Sequence, residues 1–423
     1  MSAKQAKRKK LFGNLQSSDN GTKNDHTADD TNEIAGNSFA INGTDFESLF
    51  SIQIVMDKIM SYLTYKDVYK LSLSCRALRE LSILELERRK NGLASKCLLY
   101  RLNNITEPFL QHPKSGARAA VHLGIHVAQQ KFCELINQLH FRPKIAFLLT
   151  GNVKSREHQM WSRWFKRKLP HDCTVLNVLS KTAICGSIDN HVYEVHHNKF
   201  DGNCGLAYIL LGTQRGNRSI HVFKSLKELV TLTDADARRK DPVKCILYFS
   251  RSHSRAQLSK ILSVCKERNH NNCVAFGGLV MDSLASFDDD AYTSQIQCAG
   301  LVFSGADSEV MAASTIIEDM TDEQIRNSMI SFRDSIPFDI TDPTKNTICF
   351  LLSCIEHSPH VNYSSEYTAS ESDIFHTIFP SNIRVFGFSG HGEFGQVSGL
   401  SEEQKKVAYQ FSCVIVLVQF PIR

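Results

Sequence analysis

Apolar residues first fall into a regular spacing between Ile52 and Leu81. Ile52, Val55, Met56, Ile59, Met60 and Leu63 recur at intervals of three and four with few charges between them, which predicts a helix with a wide apolar face. Thr64 and Asp67 then stand three apart before a second periodic run, Val68, Leu71, Cys75, Leu78 and Leu81, the pattern of a newly capped helix. Two short helices joined by a tight turn cannot hide two apolar faces unless something packs across them. That cover is either the rest of the chain or a separate protein.

Beyond Lys90 the pattern changes character. Lys144–Thr150, Val243–Ser250 and Thr347–Cys354 are continuous apolar runs that end in a small polar residue, which predicts central strands covered on both faces. The first two are followed by expected helices, His158–Lys168 and Arg255–Arg268, and then by second strands, Thr174–Leu179 and Asn272–Phe276, the latter ending at Gly277-Gly278. Further strands are expected at Cys97–Leu102, Leu206–Leu211, Ser219–Phe223, Cys298–Phe303 and Ser412–Phe420, and a helix within Ala117–Leu139. The fold class is therefore multidomain: a small all-α module, then an α/β or α+β body with mixed β-sheets in two related halves.

Length agrees with this division, since 423 residues exceed one ordinary core. No apolar run approaches membrane-spanning length, and the basic start MSAKQAKRKKLFG has no apolar region behind it, so neither a membrane span nor a signal peptide is expected. The net charge of +5 is modest for this length and does not by itself argue for nucleic acid, and direct nucleic-acid binding is not expected. Thirteen scattered cysteines lack the paired spacing of a structural zinc site and read as buried hydrophobes in a reducing compartment. Residues 1–44 are poor in large apolar groups and are expected to be disordered, with Lys7, Arg8, Lys9 and Lys10 in a basic cluster that fits a nuclear import signal.

Candidate chemistry concentrates near the C-terminus. Cys354 ends a buried strand and is followed by Glu356 and His357, and the run Ile383–Gly395 holds Gly390, His391, Gly392 and Glu393 among four glycines within nine residues. A cysteine and histidine three apart at a strand end need not face one another, which argues against nucleophilic catalysis. The run has neither the ending of a phosphate-binding P-loop nor a dinucleotide fingerprint, and no histidine spacing matches a metal site, so no cofactor and no metal are expected. Glu393 reads as a residue that fixes the loop through backbone hydrogen bonds, with ligand contact as the alternative. Basic residues around Trp161 and Trp164 fit either base stacking or an amphipathic helix docked on a sheet, and the second is favoured. Asp288-Asp289-Asp290 reads as a solvated loop.

The order of residues adds a resemblance. Ile54–Leu63, Thr64-Tyr65-Lys66-Asp67, Leu71–Cys75 with Arg76, and Leu81 resemble an F-box, departing from it at Phe50-Ser51 and Leu78. Gly277-Gly278, Ala299–Gly305, Phe350–Cys354 and Phe386–Gly395 resemble, in that order, a FIST domain pair, and an F-box followed by this pair is similar to the F-box only protein 22 family. The resemblance implies an F-box at 45–92, a FIST N-terminal-like domain at 93–235 and a FIST C-terminal-like domain at 236–423. It implies a non-catalytic substrate receptor that binds Skp1, and through it cullin-1 and a RING subunit, and presents a protein substrate for ubiquitylation in nucleus and cytoplasm. Ile52, Val55, Met56, Ile59, Leu63, Leu71, Cys75 and Leu78 would then form the Skp1-binding surface or its core. Cys354, Glu356, His357, Gly390, His391, Gly392 and Glu393 mark the substrate or ligand region. A small-molecule or redox sensor, with the helical module as its output surface, is the competing reading.

Overall fold

The computed structural model describes residues 55–56, 58–74, 76–88, 93–100, 129–151, 155–180, 183–188, 191–196, 204–212, 219–239, 242–252, 255–268, 274–281, 283–288, 291–294, 296–306, 309–318, 321–354, 371–397, 408–409 and 412–421. The expected disordered tail and its basic cluster, and Ile52, Cys75, Glu356 and His357, lie outside the described residues.

The described residues begin with helices α1 (55–56 and 58–62), α2 (Tyr65–Leu71) and α3 (Arg76–Arg88). The cap expected at Thr64 is present: its hydroxyl accepts from the Asp67 N–H at 3.3 Å and donates to the Asp67 carboxylate at 2.6 Å. That hydroxyl holds the Asp67 carboxyl below its usual range, so the cap persists at neutral pH and weakens as the pH falls through the lowered pKa.

The body is built three times over. The first repeat runs β1 (Leu93–Tyr100), α4 (129–138), β2 (Pro143–Gly151), α5 (Ser155–Lys168), β3 (Thr174–Ser180), a hairpin of β4 (Ala183–Ile188) and β5 (His191–His196), and β6 (Cys204–Gly212). The second runs β7 (Ser219–Phe223), α6 (Leu226–Arg239), β8 (Val243–Ser250), α7 (Arg255–Arg268), β9 (Ala275–Val280), hairpin β10 (Ser283–Asp288) and β11 (Ala291–Ser294), and β12 (Cys298–Ser304). The third runs β13 (Met311–Ile317), α8 (Asp322–Ser335), β14 (Lys345–Cys354), α9 (Glu371–Ile378), β15 (Arg384–Gly390), hairpin β16 (Glu393–Gln396) and β17 (Ala408–Tyr409), and β18 (Cys413–Pro421).

The three six-stranded mixed sheets share one strand order: β1-β6-β2-β3-β10-β11, β7-β12-β8-β9-β16-β17 and β13-β18-β14-β15-β4-β5. In each, one strand–helix–strand crossover makes the parallel pair, β2 with β3, β8 with β9 and β14 with β15, and the other pairings are antiparallel. The hairpins are exchanged. β10 of the second repeat pairs with β3 of the first, β16 of the third with β9 of the second, and β4 of the first with β15 of the third. No sheet is complete within its own stretch of sequence.

The pleat explains the continuous apolar runs. Ile145, Phe147 and Leu149, Cys245, Leu247 and Phe249, and Ile348, Phe350 and Leu352 occupy matching positions and enter one core shared by all three sheets. Phe147 lies 5.4 Å from Phe249 and 6.5 Å from Phe350 between ring centroids, so the repeats meet directly. The alternate residues belong to clusters with helix residues: Leu148 shares one with Phe165, Tyr248 a second with Leu258 and Leu351 a third with Ile374. Truncation by Phe350→Ala in the shared core is expected to cost about 3–5 kcal/mol, read as a lowered midpoint in chemical denaturation.

Two expectations are corrected. The related units number three rather than two, because the third strand run carries its own helices and borrowed hairpin; the expected division at 235/236 falls inside α6. The strand expected to stop at Gly277-Gly278 continues through both glycines to Val280, and glycine is required at 278 because a Cβ there would overlap the Tyr248 carbonyl oxygen of the adjacent strand.

Candidate functional site

Two places concentrate features that packing alone does not require. The first is the outer face of the helical module. On α1 and the residue after it, two apolar stripes run side by side: Met60 is buried and Met56 and Leu63 half-buried, whereas Val55, Ile59 and Tyr62 face water. Tyr69, Leu73, Ile83 and Leu84 extend the exposed apolar surface, with Tyr62 at 70% and Leu73 at 63% exposure. Among the described residues, Val230 is the sole large apolar side chain elsewhere that is comparably open. Seven such residues fall within one 30-residue stretch, so exposed large apolar side chains concentrate in the helical module.

Of the residues expected at this surface, Val55 and Ile59 are exposed, and Met56, Leu63, Leu71 and Leu78 are half-buried at its base. Tyr62, Tyr69, Leu73, Ile83 and Leu84 were not expected there. When both stripes of a helix are apolar, spacing does not tell which one faces out.

The second place is the carboxyl end of the strands of the third repeat. β14 and β15 run parallel, so Cys354 and Gly390 are cross-strand partners, and the Cys354 N–H donates to the Ser412 carbonyl at 2.9 Å. Gly390 sits where a Cβ would approach the Val280 carbonyl oxygen to 2.6 Å, so the close approach of the repeats selects glycine. The chain then turns through His391, which is exposed and whose N–H donates to the Val280 carbonyl, and Gly392 into β16.

Glu393, the first residue of β16, is fully buried and accepts from the Ser412 hydroxyl at 3.1 Å. It faces Leu279 on β9 just as Leu284 of the second repeat faces Val178 on β3. A carboxylate thus stands where an equivalent position holds leucine. The Ser412 bond is a side-chain contact that ties β16 to the start of β18. Ser412 was missed in the sequence because it reaches the site only through the pairing of β18 with β14.

Nearby, burial pushes the Cys413 thiol well up, and the Glu371 and Glu393 carboxylates add to the effect. Removing the donor with Ser412→Ala is expected to cost about 1–3 kcal/mol in thermal or chemical denaturation. Elsewhere, burial raises the Cys173 and Cys265 thiols to about 12, which disfavours their thiolate forms. Cys133, half-buried, is therefore expected to alkylate with iodoacetamide at pH 8 well before Cys173 or Cys265, followed by peptide mass spectrometry.

No group of three or more metal-ligating side chains occurs among the described residues, and no helix there is long and apolar enough to cross a membrane. The α5 aromatics dock on the sheet: Trp161 stacks on Phe165 at 5.3 Å and both are buried, whereas Arg163, Arg167 and Lys168 face water.

No family model matches the chain, and the search of curated proteins found no match. A solved structure, cyanuric acid hydrolase from A. caulinodans, is similar over 78% of this chain and 100% of that chain at 8% identity with a TM-score of 0.28. A likeness that weak carries no argument about function.

Proposed function

We propose that the protein is a substrate receptor of a Skp1–cullin–F-box ubiquitin ligase, with residues 45–92 as the docking module and the body from residue 93 onward as the substrate-holding part. The observation that carries this reading is the exposed apolar face formed by Val55, Ile59, Tyr62, Tyr69, Leu73, Ile83 and Leu84. Burying each aliphatic or aromatic side chain of this kind is worth about 1.5–3 kcal/mol before the cost of association, enough in sum to support a stable complex. Its place in the chain coincides with the residues that resemble an F-box. The receptor makes and breaks no bonds. It shortens the search between a bound substrate and the charged ubiquitin carrier, so its contribution to rate is proximity. The Lys7–Lys10 cluster would serve nuclear import, with the protein working in nucleus and cytoplasm.

The test is reconstitution. The full chain mixed with purified Skp1 is expected to elute as a 1:1 complex and, with neddylated cullin-1 and its RING subunit, to direct ubiquitin transfer. Separate elution of the two proteins at micromolar concentration overturns the reading. A second reading, a ligand sensor, draws support from buried Glu393 beside Ser412 and Cys354. Native mass spectrometry of the purified chain separates the two, because a sensor retains a small molecule that Glu393→Leu releases.

A further inference from the structure

We infer that the helical module and the first repeat form one rigid body, closed by a clamp between the α1–α2 turn and the segment that follows α4. The two sides of this clamp lie more than seventy positions apart in the chain, as the contact from His140 to Leu63 illustrates. The Tyr65 N–H donates to the Leu139 carbonyl at 2.9 Å, a bond between two main chains that no side-chain rotation can release. A ring nitrogen of His140 lies 3.1 Å from the Leu63 carbonyl, and the Lys66 ammonium donates to the Asn137 side chain at 2.9 Å. Three contacts within four residues, 63 to 66, therefore hold the turn.

Packing closes the same joint. The Tyr65 ring is buried in the cluster of Phe132, Ile136, Leu139, Phe141 and Trp161, and Leu86 on α3 packs against that cluster too. Two of the three helices thus reach one apolar centre belonging to the first repeat. Swinging the module away would return Tyr65 to water, at about 1.5–3 kcal/mol for its side chain, and strip partners from a main-chain pair. A module on a loose tether needs none of these contacts.

The consequence concerns geometry. An adaptor seated on Tyr62, Tyr69 and Leu73 is held at one orientation to the sheets, so a protein carried on the body meets the ubiquitin carrier over a narrow range of positions. That consequence rests on the receptor reading, whereas the rigid joint itself does not.

Amide hydrogen exchange of the full chain without adaptor, resolved to single residues, tests the joint. The Tyr65 amide is expected to exchange within about tenfold of the slowest β2 amides, because it opens only with the first repeat. Tyr65→Ala is expected to speed exchange across residues 58–72 by about a hundredfold or more while β8 and β14 keep their protection. Lys66→Ala, which keeps the ring in place, is expected to give a smaller change of the same pattern. Exchange at Tyr65 a thousandfold faster than in β2 overturns the proposal, and so does unchanged exchange over 58–72 in both variants. Because Skp1 is absent, failure here leaves the docking reading untouched, and failed Skp1 capture leaves the joint untouched.

Discussion

Ile59→Asp and Leu73→Asp are each expected to weaken capture of Skp1 by at least about thirtyfold, and the pair together to abolish it at micromolar concentration. The size follows from two terms. Each substitution forfeits the transfer energy of an aliphatic side chain that passes from water into an interface, about 1.5–3 kcal/mol, and each also forces a carboxylate to lose its water without a partner. The free protein is spared both terms, because Ile59 and Leu73 already face solvent, at 47% and 63% exposure. Thermal unfolding of the variants should therefore stay within the roughly 0.5 kcal/mol expected of surface changes. Val230→Asp is the matched control: it alters an exposed apolar residue on α6, away from the module, and is expected to leave affinity unchanged. Equal binding by all three variants in a calorimetric titration would remove the module face from the account.

The second large effect comes from cutting the body. Fragments 93–235 and 236–423, made separately, are expected to yield no cooperative folded state, and the uncut body is expected to unfold in a single transition. The cut passes through α6 and parts β7 from β12, to which it pairs from Gly300 to Ser304. It also takes β10 and β11 away from β3, and β4 and β5 away from β15. Each fragment is left with bare sheet edges and with half of a core in which Phe147, Phe249 and Phe350 touch. Such fragments should bind a hydrophobic dye and lack a sharp thermal transition, the behaviour of a collapsed state without fixed packing. A sharp melt from either fragment alone would show that the exchanged hairpins are dispensable.

The strands were legible where burial on both faces writes a continuous apolar run. Val243–Ser250 and Ser219–Phe223 were expected at the limits they occupy, as was the helix Arg255–Arg268. The hairpins were not legible. β4, β10 and β16 are short and mix small with polar residues, and each pairs with a strand of another repeat, so no local pattern announces them. The repeat number was hidden for a similar reason. Asn177 of the first repeat holds the structural position that glycine, Gly278 and Gly387, holds in the other two, so the equivalence does not show in residue type.

At the C-terminal site the sequence pointed to Cys354, Gly390 and Glu393 separately, and parallel pairing of β14 with β15 brings the first two opposite each other. The hydroxyl that completes the contact to Glu393 comes from Ser412, nineteen positions on, at the head of a strand that read only as apolar. At the module, helical periodicity located the helices and the Thr64 cap. It did not divide Met56, Met60 and Leu63 from Val55, Ile59 and Tyr62, because that choice is made by the docking of α2 onto Leu139 and its neighbours.

The most direct test of the central claim places a photoreactive phenylalanine analogue at position 62, and in a second sample at position 230, and irradiates each full-length protein with Skp1. The account predicts a covalent adduct with Skp1 from position 62 and none from position 230. No adduct from position 62, or equal yields from both, would contradict it.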